Sequence, residues 1–377
     1  MLRDKYAYLT TAFRDAMARD NVRAVIAMSP ENVLHTAGVY IASQRMIRER
    51  LATTVFPLES DPFFVVSSVV AKTARNESWI EDIAVWAEHD STPVDALVAA
   101  LRGLGLTSGR IWLEMRYLAA TYFQELAAAL PDVEWLDAEL VLDRTRMVKT
   151  PDEIALMQRN GVQAEKAIYA GFMFARAGTT EFEIAHRMRG SLVDLGSDGS
   201  PFMSLAAGVA HTLESHAVPG ATPLAPGDIV SVDMVGTWRG YYTDMARMAI
   251  VGPPSPAQRR AWQGVVEVQR QVTADARPGV KAKDLYASAH RYAREQGFEL
   301  ATNLAGHSLG IGLHEYPPIT PTCEEELQPG MTLCIEILAS YPDLGRFHVE
   351  DLIEVRDGPA TRLTDSFDTR DMYVIRG

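Results

Sequence analysis

A length of 377 residues, 47% of them hydrophobic and 23% charged, is the composition of a folded globular protein with material for two or three domains. The formal charge of −13, with basic residues scattered along the chain, argues against nucleic acid and against an anionic membrane as partners, because both need a basic face. Two cysteines, Cys323 and Cys334, are too few for a disulfide framework or a cysteine-rich zinc site, and no apolar stretch approaches a membrane span or a signal sequence, so a cytoplasmic protein is expected.

In chain order, a helical pattern over residues 2–19 precedes a strand at 23–28. Further strands are expected at 51–58, 63–67, 83–87 and 110–114, with helices at 93–104 and 117–130. This alternation predicts an α/β domain over residues 1–145, and the absence of GxGxxG or GxxxxGK[ST] loops leaves a nucleotide role without support. The pattern then shifts. Thr150-Pro151-Asp152-Glu153 has an N-cap, proline at the first helical position and acids in the first turn, so a long helix is expected to about Ala175 and a second, α+β domain over 146–377. Helices are expected at 180–195, 256–276 and 282–296, with hairpins between and after them.

The first hairpin contains VDMVGTWRGYYTD. With its turn centred between Trp238 and Arg239, Asp233 stands directly across from Asp244, and two carboxylates so paired repel unless a cation lies between them. The second hairpin repeats the arrangement: with its turn centred on Asp343, Glu336 faces Glu350. A solvent-facing strand side would explain either pair alone. However, Glu336 interrupts the apolar run Leu333-Cys-Ile-Glu-Ile-Leu, which reads as a buried strand where an unpaired carboxylate is costly. Four carboxylates balance two divalent cations, with a bridging hydroxide as the excess anion, and this is the composition of a two-metal hydrolytic site.

The segment GHSLGIGLHEYP places His307 between Gly306 and Gly310, where it would supply the nitrogen donor that mixed oxygen and nitrogen sites include. The same residues formally match a G-x-S-x-G nucleophile elbow, with Ser308 as nucleophile and His348 as base. The weak strand before the motif and Pro317, Pro318 and Pro321 after it disfavour that strand-to-helix turn.

Asp233, Asp244, His307, Glu336 and Glu350, taken in order, resemble the ligand set of the M24 "pita-bread" metallopeptidases, among them methionine aminopeptidase, aminopeptidase P and prolidase. GHSLGIGLHEYP is similar to their GHxxGxxxHExP segment and GYYTDMAR to their GYxSDxTR, while the first domain resembles the creatinase-type N-terminal domain. The resemblance implies two divalent metals, manganese first with cobalt, zinc or iron as alternatives. Asp233 would bind one metal, His307 and Glu336 the other, and Asp244 and Glu350 would bridge. It also implies that His216 and His314 contact substrate and stabilise the tetrahedral intermediate, that Glu336, with Glu350 as the alternative, accepts the proton, and that the protein is a homodimer.

Four departures bear on the pocket. His348 stands where proline-specific members carry arginine, with Arg346 two residues further back; Ile337 follows Glu336 in place of proline; Ala246 precedes Arg247 in place of threonine; and Asn303 stands where aminopeptidase P carries a histidine. The expected substrate is a short peptide cleaved before proline, by an Xaa-Pro aminopeptidase or dipeptidase, with His348 and Arg346 on the substrate side. The alternative keeps the fold and takes a small non-peptide substrate, as in creatinase-, ectoine-hydrolase- or dimethylsulfoniopropionate-lyase-like relatives. The basic run Arg45 to Arg50 could reach a substrate carboxylate but reads as a solvated charged segment.

Overall fold

A computed structural model describes residues 2–377. The chain divides into two compact units, one running up to Arg146 and the other from Met147 to Gly377. In the first unit, strands β1 (Ala24–Ala27), β2 (Thr53–Pro57), β3 (Phe63–Ser67), β4 (Asp82–Trp86), β5 (Ser108–Leu113) and β6 (Asp132–Asp137) form one mixed sheet in the order β4-β3-β2-β1-β5-β6. The helices are α1 (Leu2–Asp20), α2 (Pro30–Ala37), α3 (Ala42–Met46), α4 (Ala71–Glu77), α5 (Pro93–Gly103), α6 (Ala120–Ala129) and α7 (Glu139–Met147). Strand alternation splits the core in two. Val25 joins Phe13, Met17 and Phe56 on one face of the sheet, and Ile26 joins Leu97, Leu101 and Ile111 on the other. Strand β6 was not expected from the sequence. It is an edge strand with exposed acids at its ends, so it lacks the apolar run that marks β1 to β3.

The second unit begins with α8 (Pro151–Phe174), which opens on the expected capping box: Thr150 Oγ1 accepts from Glu153 N, and Glu153 Oε2 accepts from Thr150 N at 2.8 Å. Helix α9 (Glu181–Asp194) is capped in the same way by Thr180 and Glu183. Strand β7 (Gly199–Ala207) and the short α10 (Gly208–Thr212) lead to the hairpin β8 (Ile229–Trp238) and β9 (Tyr241–Val251). Helices α11 (Pro256–Asp275) and α12 (Ala282–Glu295) follow. Then come β10 (Gly306–Ser308), β11 (Glu315–Pro318), the hairpin β12 (Thr332–Tyr341) and β13 (Gly345–Glu354), β14 (Thr361–Arg362) and β15 (Tyr373–Ile375).

These strands make two sheets, β15-β9-β8-β7 and β11-β10-β12-β13-β14. Helices α8 and α9 cover the first through Phe172, Met188, Leu192, Val232 and Met245, and α11 and α12 cover the second through Val265, Leu285, Ile335, Ile337 and Val349. Alternation sends the intervening residues to the opposite faces. Asp233 lies between Val232 and Met234, and Glu336 between Ile335 and Ile337, so both carboxylates leave the helix-covered cores.

Strands β9 and β13 are joined by buried Arg247. Its Nη1 donates to Glu350 O at 2.7 Å, and its Nη2 donates to Asp351 Oδ1 and Glu165 Oε1, each at 2.7 Å. Both carboxylates are fully buried, so a charge-assisted network holds the backbone from which Glu350 projects.

Candidate metal centre

The β8–β9 register corrects one expectation. The turn is the two-residue Arg239-Gly240, with φ +48° and +89°, values that fit the type I′ hairpin turn. Its centre lies one residue later than expected, which shifts the pairing by two. Asp233 therefore faces Ala246, and Asp244 faces Val235. A shift of two keeps both carboxylates on one face, as diagonal neighbours rather than a direct pair. In the second hairpin Glu336 faces Glu350 as expected.

His307 lies on β10, paired across to Cys334 of β12. Gly306 approaches Cys334 O so closely that a Cβ there would collide with it, which is why glycine precedes the histidine. His307 Nε2 is 3.5 Å from Glu350 Oε1 and 3.9 Å from Asp244 Oδ2, while Nδ1 lies 3.1 Å from Ser308 O. A carbonyl accepts only from N–H, so this contact puts the proton on Nδ1 and leaves the Nε2 lone pair facing the carboxylates. Burial also holds the imidazole below its ordinary pKa, which keeps it neutral as a ligand must be.

Four groups of donor atoms among the described residues each lie within 4.8 Å of one another. They are Asp233, Asp244 and Glu350; Glu336, His348 and Glu350; His307, Cys334 and Glu350; and Asp244, His307 and His314. Glu350 is common to three of them, and Asp244 and His307 to two each. Asp244 Oδ1 and Glu350 Oε1 are buried without hydrogen-bond partners, so the donors present fit cations that would occupy those oxygens. Burial, and for Asp244 next the charges of Glu350 and Asp233, pushes the Asp244 and Glu350 carboxyls well above the ordinary range. Burial also raises Asp233. Glu336 goes the other way. Burial opposes its ionisation, but the surrounding histidines, first His348 with Nε2 3.1 Å from Glu336 Oε1 and then His307 and His314, together outweigh it and lower the carboxyl.

The remaining expected residues surround this cluster. His314 is exposed and stacks on His307 with centroids 3.9 Å apart. His216, also exposed, lines one cleft with Asp233, Glu336, His348 and Arg346. His348 is buried, whereas the Arg346 guanidinium is tied to Ser340, Ser215 and Leu213 O. The nucleophile-elbow alternative is not assembled. Ser308 is on a strand, donates to Thr332 O at 3.0 Å and accepts from Lys149 Nζ at 3.2 Å.

Two features escaped sequence reading. Cys334 looked like one more apolar strand residue, yet its thiol enters the donor cluster. The buried Lys149–Glu315 ion pair, 2.8 Å long, holds the segment that carries His314; its partners are 166 residues apart, and no local pattern links them.

A family profile described as "Metallopeptidase family M24" matches residues 155–357, and one described as "Creatinase/Prolidase N-terminal domain" matches residues 10–148. The chain is 27% identical to the protein YkvY of Bacillus subtilis over 90% of its length and 93% of the relative's. It is 26% identical to the Xaa-Pro dipeptidase of Lactobacillus helveticus over 82% of its length and 85% of that protein's. The solved prolidase of Pyrococcus horikoshii OT3 shares the fold with a TM-score of 0.85, at 23% identity over 96% of this chain and 99% of that one.

Proposed function

The chain belongs to metallopeptidase family M24, a family of dinuclear metal hydrolases with the pita-bread fold, and on that premise we propose that it is an Xaa-Pro peptidase, acting as a dipeptidase or aminopeptidase on short peptides. The observation that carries the metal chemistry is the pair of buried, unpartnered oxygens, Asp244 Oδ1 and Glu350 Oε1, on two carboxylates that each bring an oxygen within 4 Å of His307 Nε2. The relatives named Xaa-Pro dipeptidase support the substrate.

In this reading Asp233, Asp244, His307, Glu336 and Glu350 hold two divalent ions, manganese by preference because the donors are mostly carboxylate oxygen. When bound, the metal pair supplies Lewis acidity and a nucleophile ionised near neutral pH. Glu336, kept ionised by His348, accepts the proton that the attacking water loses. His216 and His314, exposed at the rim, hydrogen-bond the developing oxyanion and the leaving amide. Protein stripped with EDTA should be inactive on Xaa-Pro dipeptides and regain turnover with Mn²⁺; full turnover in the stripped protein would overturn the reading.

A second reading is favoured by the cleft wall. Ser204, Thr212, Ser215, Ser231 and Thr302 present hydroxyls beside Asp233 and Glu336, with only Ala206 and Leu338 apolar, which suits a small polar substrate better than a proline ring. Turnover of creatine- or ectoine-like compounds without any cleavage of Xaa-Pro peptides would decide for it. We also propose a cytoplasmic homodimer. The free, buried thiols of Cys323 and Cys334 fit a reducing compartment, the dimer follows from the family resemblance, and sedimentation of the purified protein tests it. Among the described residues no helix is long and apolar enough to cross a membrane.

A further inference from the structure

His216 has a backbone φ of +54°, in the left-handed region that a residue other than glycine adopts only under constraint. Its ring is exposed and meets Phe202 edge-to-face, centroids 5.3 Å apart. Burial therefore does not hold it. A strained, exposed residue keeps its conformation only where the surrounding chain over-determines it. Here the surrounding chain is segment 208–220, which after the single turn of α10 has no regular structure until β8.

One side chain that the metal centre does not use closes this segment. Glu181, the first residue of α9, is fully buried. Its Oε1 accepts from Ala207 N at 2.7 Å and lies 2.7 Å from His211 Nδ1, and its Oε2 accepts from Gly220 N at 2.9 Å. Opposite a carboxylate, His211 must carry its proton on Nδ1. Ala207 immediately precedes the segment, Gly220 ends it and His211 lies inside it, so one carboxylate ties both ends and an internal point. Such a group is tolerable in the interior because three donors satisfy it, and removing it would orphan all three.

The other side of the segment is held by Arg346. Its Nη2 donates to Leu213 O at 2.9 Å, its Nη1 donates to Ser215 Oγ at 3.1 Å, and its backbone N donates to Thr212 Oγ1 at 3.3 Å. Next to the histidine, Ala217 O accepts from Ser204 Oγ at 3.0 Å and from Leu205 N at 3.3 Å.

We propose that Glu181 is a positioning residue that, with Arg346, clamps segment 208–220 and thereby fixes His216 over the metal centre. The proposal rests on the reading of His216 as a substrate-facing group. It gives Arg346 work apart from any contact with substrate.

Glu181→Gln tests it in the metal-loaded full chain. The amide retains an oxygen for one side of the clamp and turns an NH₂ towards donors on the other. Expected are faster hydrogen exchange confined to 207–220, unchanged metal content, and a kcat lower by about tenfold or more with KM little moved, since small misplacements of a catalytic group are that costly. In a His216→Ala background Glu181→Gln should cause no further loss, because both changes remove the same interaction. Unchanged exchange in 207–220, or a loss that multiplies in the His216→Ala background, overturns the clamp. Should Glu181→Gln fail to fold, Arg346→Met loosens the segment from its half-buried side and is judged by the same exchange measurement. If His216→Ala retains full turnover, the reading of His216 fails, and the exchange result alone decides the clamp.

Discussion

Glu350 concentrates the electrostatic demand of the site. Burial, then the charges of Glu336 and Asp233, hold its carboxyl far above the ordinary range, so without a cation the buried carboxylates crowd one another. Glu350→Gln should therefore leave the metal-free protein as stable as its parent or more so, while abolishing the gain in melting temperature that Mn²⁺ gives the parent. Strong destabilisation of the metal-free variant would show that the carboxylate is satisfied without metal. At Gly310 a methyl group would lie 2.8 Å from Glu315 Oε2 and 2.9 Å from Lys149 Cε, so Gly310→Ala should wedge the buried ion pair and cost about 2 kcal/mol in denaturant unfolding, as overpacking does. The candidate ligands were legible because carboxylates within apolar strands conflict with burial. Lys149 and Cys334 carried no such conflict, and only the fold brings them to the site.

At the scale of elements, both hairpins could be read from strand alternation, but their registers depended on the turns. Leu344-Gly345 ends the second turn where expected, and Glu336 meets Glu350. In the first, Trp238-Arg239-Gly240 admits two centres, and nothing local shows that Arg239 takes a positive φ. The structure selects the later centre, because a two-residue turn there matches the strand twist. Gly240, at φ +89°, is the residue that permits it, so Gly240→Ala should destabilise the protein by about 1 kcal/mol. An unchanged midpoint in urea would show that the turn tolerates a side chain. Helix starts were the most legible feature: Thr150, Thr180 and Ser255 each cap a helix with an acid or glutamine three residues on. Edge strand β6 was illegible because Val133 is its one buried side chain and it has no continuous apolar run.

Across the whole molecule, metal and pH are linked. In the metal-free protein Asp233, Asp244 and Glu350 have raised carboxyl pKa values, so the folded state binds more protons than the unfolded one above about pH 4, the ordinary carboxyl value. Their stabilisation is present below that pH and is lost as pH rises through the raised values. Glu336, lowered, acts in the opposite sense, and so do His307 and His314, whose burial-lowered pKa values favour the fold as pH rises through about 6.5, the ordinary histidine value. Glu139 in the first unit is pushed to about 7 by burial and then by the charges of Glu114 and Asp143, and it also loses its contribution as pH rises. Absolute stability thus mixes groups of both units, whereas the difference between metal-loaded and metal-free protein isolates those of the candidate site. Glu139 cancels, and what remains is the displacement of protons by metal from the crowded carboxyls and from His348, whose pKa adjacent Glu336 raises against the effect of burial. Each proton displaced adds about 1.4 kcal/mol to metal binding per pH unit. The gap between the melting temperatures with Mn²⁺ and with EDTA should therefore widen as pH rises above about 4, the ordinary carboxyl value, and level off once these groups have lost their protons in the metal-free protein. A gap independent of pH would mean that the carboxyls are already ionised before metal arrives, and that the cations replace some other partner.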